Sequence, residues 1–570
     1  MITLVLATLV GTWASFLVSL ILGKMVVWPF VAGFGGVCLG WVVKRPKIRE
    51  GRLFWITILG WGGFLIKLFS QMMVETREGI WAGGANVWGD WAGHVGYIAN
   101  WVYGSNWPPQ NPWYAGVRLA YPFLFDYTSA VLARMGLSIP WSMQLPGMVL
   151  GVVMVGLLFK LTERLTKSGV AGVLAVAIFM FSGGLGWVYL IAGQKILAVP
   201  AEGVRELTHS YEGNIQWVNF VISEMVPQRG IVMGITTVLA IFMLWWDGWE
   251  GQEKKKFVVA GVMAGLIPLF HAHSFMVVGG VAGSLWLMKP KRVWWYFFVP
   301  AGLLALPQLA YFAPQVANYT AGFMRWQVGW TAHVQNDNWV WFWVKNLGLA
   351  AILIPVAWIT AWKKDRKLFW LYMPFAVIFV ACNLWVFQPW ENDNSKLLRF
   401  WYLASTILMG WWLVRIPKVL AVVFLVTITL AGAIDAGGWL NFSKNKLMMW
   451  SRSEMQLANE VRNLTDKKAV FLTTDAHNHW VVDLAGRKIV MGFRGWLWSW
   501  GINYSERERD VNKIFSGSPE AGSLMNKYGV DYVVIGPGER DVFGANEEYF
   551  SKHYPLLVDR FGQKIFDVRK

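Results

Sequence analysis

The sequence predicts a polytopic α-helical membrane protein with a small C-terminal α/β domain. Three observations predict it. The 570 residues are 56% hydrophobic and only 15% charged, where soluble domains carry about 25% charged residues. Apolar runs long enough to cross a bilayer, about 17–25 residues each, recur along most of the chain. From about residue 440 the pattern changes to short β-branched runs bounded by turn residues, with helical patterns between them.

The apolar runs fall near 2–22, 25–43, 53–72, 142–160, 169–192, 231–247, 257–271, 274–288, 293–312, 340–361, 368–387, 400–415 and 417–435. By length they are roughly thirteen transmembrane helices. The first follows Met1 directly, with no basic n-region and no clear cleavage site. It reads as a retained anchor. Basic clusters lie at 44–52, 160–167, 254–256, 289–292, 363–367 and 415–418. All share one side if the N-terminus is cytoplasmic, as the positive-inside rule requires. The extracytoplasmic side then receives the loops 73–141, 193–230, 313–339 and 388–399, the short turn 272–273 and the tail. The expected organisation is therefore a multi-pass plasma-membrane domain, 1–439, with external loop 73–141, and an extracytoplasmic α/β domain, 440–570.

The net charge of +17 resides in those inner clusters, so no nucleic-acid partner is expected. Cys38 and Cys382 both lie inside apolar runs. They offer no disulfide framework and no CxxC metal site, and lone buried thiols are expected.

In the tail, "KKAVFLTTD", "RKIVMGF", "VDYVVIGPG" and "KIFDVRK" read as strands, with helices near 452–463 and 505–527. Strands alternating with helices suggest an α/β domain. The "GPG" after 531–535 lacks both GxGxxG and GxxxxGK[ST], and reads as a plain turn. Long loops are commonly functional, and 73–141 is long. Within it, "AGHVGYIANWVYG" and "YPFLFDYTSAVLARMG" read as amphipathic helices lying on the membrane surface. "NWPPQNPWY" between them reads as a rigid turn.

Four polar groups gather on the outer side. Asp90 and His94 stand four apart, on one face of a helix. Gln228 and Arg229, in "EMVPQRG", open a membrane helix. His271 and His273 flank a break in "FHAHSF". The loop "FQPWENDNSKLLRFW" packs Glu391, Asp393, Lys396 and Arg399 together. Each has a local reading as well. Asp90 suits a helix N-cap, Arg229 can snorkel to headgroups, the histidines can bond backbone at the break, and 391–399 can hold solvated ion pairs. The HxH spacing is compatible with metal ligation, but no second pair or acidic triad stands at a fixed offset. Convergent ionisable groups usually mark a membrane-protein site. A carboxylate near a hydroxyl can act as general base. Cations at a helix N-terminus suit a phosphate. Those parts describe glycosyl transfer from a lipid phosphate to a hydroxyl.

These residues resemble the GT-C superfamily of integral-membrane glycosyltransferases. "GDWAGHVGYIANWVYGSNWPPQNPWYAGVRLAYPFLFDY" resembles the long external loop of uncharacterised bacterial and archaeal members. "VPQRG", "PLFHAHSF" and "PWENDNSKLLRFWYLAS" are similar to further blocks, as are "LAGRKIVMGFRGWLWSWGINYSERERDV" and "YGVDYVVIGPGE" in the tail. The resemblance implies a GT-C-like fold and a polyprenyl-phosphate-linked sugar donor. The acceptor would be a glycan, lipid or protein, and membrane lipid a further partner. It makes Asp90 the loop acid and general base, with His94 orienting it or contacting the donor. Arg229 and Lys396, with Gln228 and Arg399, would bind the donor phosphate. His271, His273, Trp91, Asn392 and Asp393 would contact substrate, and segments 477–483 and 493–504 the acceptor. The expected reaction is a single inverting displacement, with no cofactor.

Two departures matter. Many mannosyltransferases of the superfamily show two adjacent acids here, whereas this chain has Gly89, Asp90 and Trp91. Its oligosaccharyltransferase members carry a WWD-type tail motif and use a divalent metal. The only "WWD" here is at 245–247, on the side predicted cytoplasmic. Metal dependence and whole-oligosaccharide transfer are not carried over. A transporter or flippase would place its polar groups near mid-membrane and often show repeated halves. An acyl- or phosphotransferase would use His271 or His273 as base. A receptor would use the helices only as an anchor.

Overall fold

Residues 1–44, 50–193, 207–210, 212–249, 251–317 and 324–569 are described by a computed structural model. Parts of the basic cluster 44–52 and of the loops 193–230 and 313–339 lie outside the described residues. Helix forms within every predicted apolar run. Seven helices are long and apolar enough to cross a membrane: Ile2–Leu22, Arg52–Phe69, Ile139–Thr166, Gly230–Trp249, Arg292–Pro314, Arg366–Leu384 and Lys418–Gly438. Trp339–Leu347 and Ala350–Lys364, bent by 96° at Gly348, make eight if counted as one span. Trp28–Val43, Gly169–Met180 and Ala272–Met288 are apolar but shorter.

The difference from roughly thirteen comes from breaks and from length. The run at 169–192 divides into Gly169–Met180 and Gly186–Ile191, and the run at 257–271 yields only Lys254–Gly265. Ile139–Thr166 and Gly230–Trp249 form the inner layer, with 78% and 72% of their apolar windows buried. Arg292–Pro314 and Lys418–Gly438 are only 22% and 28% buried, so their apolar sides face outward, as suits a lipid boundary.

The loop 73–141 begins with a hairpin of strands β1 (Met73–Glu75) and β2 (Gly79–Ala82). Strands β3 (Arg325–Trp326) and β4 (Trp385–Val386) pair antiparallel beside the 388–399 loop. The tail opens with β5 (Leu447–Ser451), which adds to β2 and makes a three-stranded sheet. Five further strands follow: β6 (Val470–Leu472), β7 (Lys488–Ile489), β8 (Tyr532–Ile535), β9 (Leu556–Arg560) and β10 (Gln563–Asp567). They form one sheet in the order β7-β6-β8-β10-β9. β6 is parallel to β7 and β8, while β10 is antiparallel to β8 and β9.

All four sequence-predicted tail strands are present in this sheet. The helical pattern at 505–527 is two helices, Ser505–Phe515 and Ala521–Tyr528. The "GPG" begins the short helix Pro537–Phe543. No slot for an anion is left there, because Glu539 Oε2 accepts from Gly536 N at 2.9 Å and its Oε1 accepts from Thr474 N at 2.8 Å.

One expectation is corrected. The loop helices do not lie on a membrane surface. Helix Ala85–Val102 is buried from Trp91 to Trp101, and helix Leu124–Arg134 from Leu124 to Val131. The tail covers the first of them, and helices Ile2–Leu22 and Ile139–Thr166 pack on the second. Trp480–Asp483 packs on Ala85–Val102, and one hydrophobic cluster contains Trp91, Val95 and Trp101 of the loop with Trp450, Val461 and Trp480 of the tail. Arg487, fully buried, locks the junction. Its guanidinium donates to the carbonyls of Tyr103 at 3.0 Å and Thr465 at 3.1 Å, at the C-terminal ends of two helices. Helix C-termini carry partial negative charge, which favours a cation there.

Beside it, Gly486 has φ +66°, and a Cβ there would stand 2.3 Å from the Ala99 carbonyl oxygen. Gly486→Ala is therefore expected to destabilise the tail–loop junction by at least about 1–2 kcal/mol, the cost of a left-handed non-glycine residue. The check is a lower melting temperature together with faster hydrogen exchange in residues 85–102.

Candidate functional site

The four polar groups meet at one end of the helix bundle. Helix Ala85–Val102 carries Asp90, half-buried. Gln228 Nε2 donates to Asp90 Oδ2 at 3.0 Å, the only side-chain hydrogen bond Asp90 makes among the described residues. Burial pushes the Asp90 carboxyl above its usual range, and the nearby His94 and Lys396 charges pull it back in part. Lys396 opens the helix Ser395–Leu413 and pairs with Asp393 at 2.9 Å. Asn392 is half-buried in the short turn Glu391–Asn394. His273 Nε2 lies 3.2 Å from Gln388 Oε1. His271 is buried, with Nδ1 2.7 Å from Ser274 Oγ, and its ring centroid is 5.3 Å from that of His273. Gly234 permits this approach, since a Cβ on it would stand 2.2 Å from Ser274 Oγ and 2.7 Å from His271 Nδ1.

Other sequence-predicted residues face elsewhere. His94 is one turn from Asp90, but its Nδ1 lies 2.9 Å from Asp126 Oδ2. The other Asp126 oxygen accepts from Arg229 Nη1. Arg229 Nη2 donates to Ser129 Oγ at 2.5 Å and to the Met143 carbonyl at 3.3 Å. The side chains of Arg229 and Asp126 are each 2% exposed. Arg399 is likewise enclosed. Its Nε donates to Glu224 Oε1 at 3.0 Å, its Nη2 to the Val218 carbonyl at 2.6 Å, and its Cζ lies 4.0 Å from the centroid of the Trp217 ring. Both arginines are thus held by buried carboxylates, while Arg399 Nη1 and Glu224 Oε2 have no hydrogen-bond partner among the described residues. Trp91 is fully buried, and its indole donates to the Val226 carbonyl at 3.0 Å. It fastens the loop helix to the 221–230 segment and presents no ring face to a substrate.

Asp126, Ser129 and Glu224 were missed by sequence reasoning. Asp126 and Glu224 carried a signal: each is an acid in an apolar stretch, the same expense that marks Asp90. Also missed were the tyrosines beside His94. Tyr97 and Tyr121 stack at 5.5 Å, and the buried Tyr97 hydroxyl has no hydrogen-bond partner among the described residues. The tail contributes rings to the same wall. Trp500 lies 6.2 Å from Tyr97 and 6.1 Å from Tyr121, and His477 packs edge-on to Trp88 at 4.2 Å.

Among the described residues no three His, Cys, Asp or Glu side chains come together as a metal cluster.

No family model matches the chain, and no curated protein matches it. Solved structures do. The oligosaccharyltransferase of Archaeoglobus fulgidus in the apo form superposes with TM-score 0.53 at 10% identity, over 91% of this chain and 74% of that one. The same enzyme tethered with an acceptor peptide containing the NVT sequon gives 0.50 at 11%, over the same shares. Arabinofuranosyltransferase AftD from Mycobacteria gives 0.52 at 12%, over 92% of this chain and 40% of that longer one. The chain shares the fold of these membrane transferases. At these identities the likeness establishes architecture, and the residues must supply the chemistry.

Within this fold the Arg229–Asp126 pair is enclosed by protein. Asp126→Asn leaves a buried guanidinium uncompensated and is expected to cost about 3–5 kcal/mol. Asp126→Leu combined with Arg229→Met is expected to recover most of that loss. Thermal unfolding of the three variants checks it.

Proposed function

We propose that the protein transfers a sugar from a polyprenyl-phosphate donor to a hydroxyl acceptor, on the extracytoplasmic face, by a single inverting displacement. The observation that supports this best is the Asp90 environment. A half-buried carboxylate is held through one oxygen by Gln228, with Lys396 close by. The acceptor oxygen attacks the anomeric carbon as its proton passes to Asp90. The bond from that carbon to the phosphate oxygen breaks, and the polyprenyl phosphate leaves with the electron pair. Lys396 stabilises the charge that grows on the phosphate. Asp393 and Gln388 hold Lys396 and His273 at the edge of the site. His271, His273 and Asn392 line the donor side, and the Trp500 and Trp88–His477 rings offer flat faces to a sugar.

In this reading Arg229 and Arg399 are positioning residues. They fix the 221–230 segment that brings Gln228 to Asp90. His94 acts through Asp126, which its Nδ1 contacts. Collecting the polar groups at one end of the bundle suits chemistry at a membrane surface better than passage through it.

Asp90→Asn keeps the shape and removes the base. With radiolabelled polyprenyl-phosphate hexoses and membrane extract as acceptor source, kcat is expected to fall about 100-fold or more. Equal transfer by wild type and variant would remove Asp90 from the mechanism. The base must be deprotonated, so wild-type kcat falls as pH drops through the raised Asp90 pKa. That loss begins at a higher pH than for an ordinary carboxylate, and a pH–rate profile on the acid side checks it. Lys396→Ala is expected to lower kcat on the order of 100-fold.

A further inference from the structure

The end of the bundle opposite Asp90 holds a cavity of about 640 Å³ between helices Ile139–Thr166, Gly230–Trp249, Ala272–Met288, Arg366–Leu384 and Ser395–Leu413. Its walls are almost wholly apolar, with Phe242, Leu285, Phe375, Ala404 and Leu408 among them. Its mouth is different. Lys289, Arg366 and Lys367 stand there beside Trp246, Trp249 and Trp370. Arg366 stacks on Trp362 with its Cζ 4.9 Å from the ring centroid, and Lys367 Nζ is 4.0 Å from that of Trp246. Lys289 and Arg366 make no salt bridge among the described residues. Tryptophans and cations at one level mark the headgroup zone of a bilayer.

An apolar chamber with a cationic rim at headgroup depth fits an amphiphile with an anionic head. We infer that this cavity is a binding site for an anionic membrane phospholipid, its phosphate held by Lys289 and Arg366 and one acyl chain lying between the helices. The occupant is not the sugar donor. A polyprenyl phosphate with its head at this rim would carry its phosphate at the wrong end of the bundle from Asp90. The inference does not depend on the chemistry of Asp90. Each Lys or Arg beside an anionic headgroup adds roughly fivefold in affinity, and every buried methylene of a chain adds to retention.

The test uses the purified full-length chain, stripped of lipid in detergent and then given phosphatidylglycerol, phosphatidylcholine or a polyprenyl phosphate. Bound lipid is counted by native mass spectrometry. One phosphatidylglycerol per chain should be retained, at least about tenfold over phosphatidylcholine. Lys289→Gln with Arg366→Gln should abolish that preference, and Ala404→Phe, which fills the apolar end, should release both phospholipids. Equal retention of the two phospholipids, or a preference unchanged in the double variant, overturns the inference. So does preferred retention of polyprenyl phosphate that Ala404→Phe removes, because the cavity is then a channel for the donor's tail. Thermal unfolding verifies each variant. The surface charge pair keeps the test decisive if Ala404→Phe does not fold.

Discussion

The site depends on one buried charge. Arg229 sits at the start of an inner helix, in surroundings where an isolated guanidinium would be prohibitively costly. Asp126 neutralises it from a different helix and touches His94 of a third with its second oxygen. Three elements are thereby held at fixed distances by a single carboxylate. Arg399 and Glu224 repeat the arrangement on the other side of the 221–230 segment. Breaking either pair leaves a charge with no water to turn to, so each pair acts as a rigid clamp. Asp90 belongs to neither. It is aimed by clamps built from other residues, and it keeps the partial exposure that a proton acceptor needs.

The two ends of the bundle use the same residue types for different ends. At the Asp90 end, cations are matched with acids, and aromatic rings from the tail complete the wall. At the opposite end, Lys160, Arg164 and Lys256 are paired with acids, while Lys289 and Arg366 stand at the mouth of an apolar cavity without a salt bridge among the described residues. The first arrangement fixes geometry. The second leaves positive charge for a headgroup.

The helices were readable because length and hydropathy are local properties, and so were the four tail strands, whose β-branched runs are bounded by turn residues. What could not be read was who pairs with whom. Arg229 and Asp126 are 103 residues apart, and Arg399 and Glu224 are 175 apart. No local pattern distinguishes an arginine waiting for a phosphate from one already satisfied. Helix Ala85–Val102 was misjudged for a related reason. Its pattern is that of a surface helix when the tail that covers it is not in view. Strands β1, β2 and β5 escaped notice because "MVE", "GIWA" and "LMMWS" contain no run of β-branched residues, which is what marked the tail strands.

The sheet shared by β2 and β5 has a consequence for how the protein is made. Its partners come from opposite ends of the chain: the indole of Trp88, two residues before Asp90, is tied to the carbonyl of Met448, 360 residues later. Contacts of such separation form late, after the intervening chain has been ordered. During synthesis the loop around Asp90 must wait, uncovered, until every remaining apolar helix and the tail have been made. That face is covered only once residues 447–500 have arrived, and a chain interrupted before them holds every apolar helix without the segment that packs on its loop.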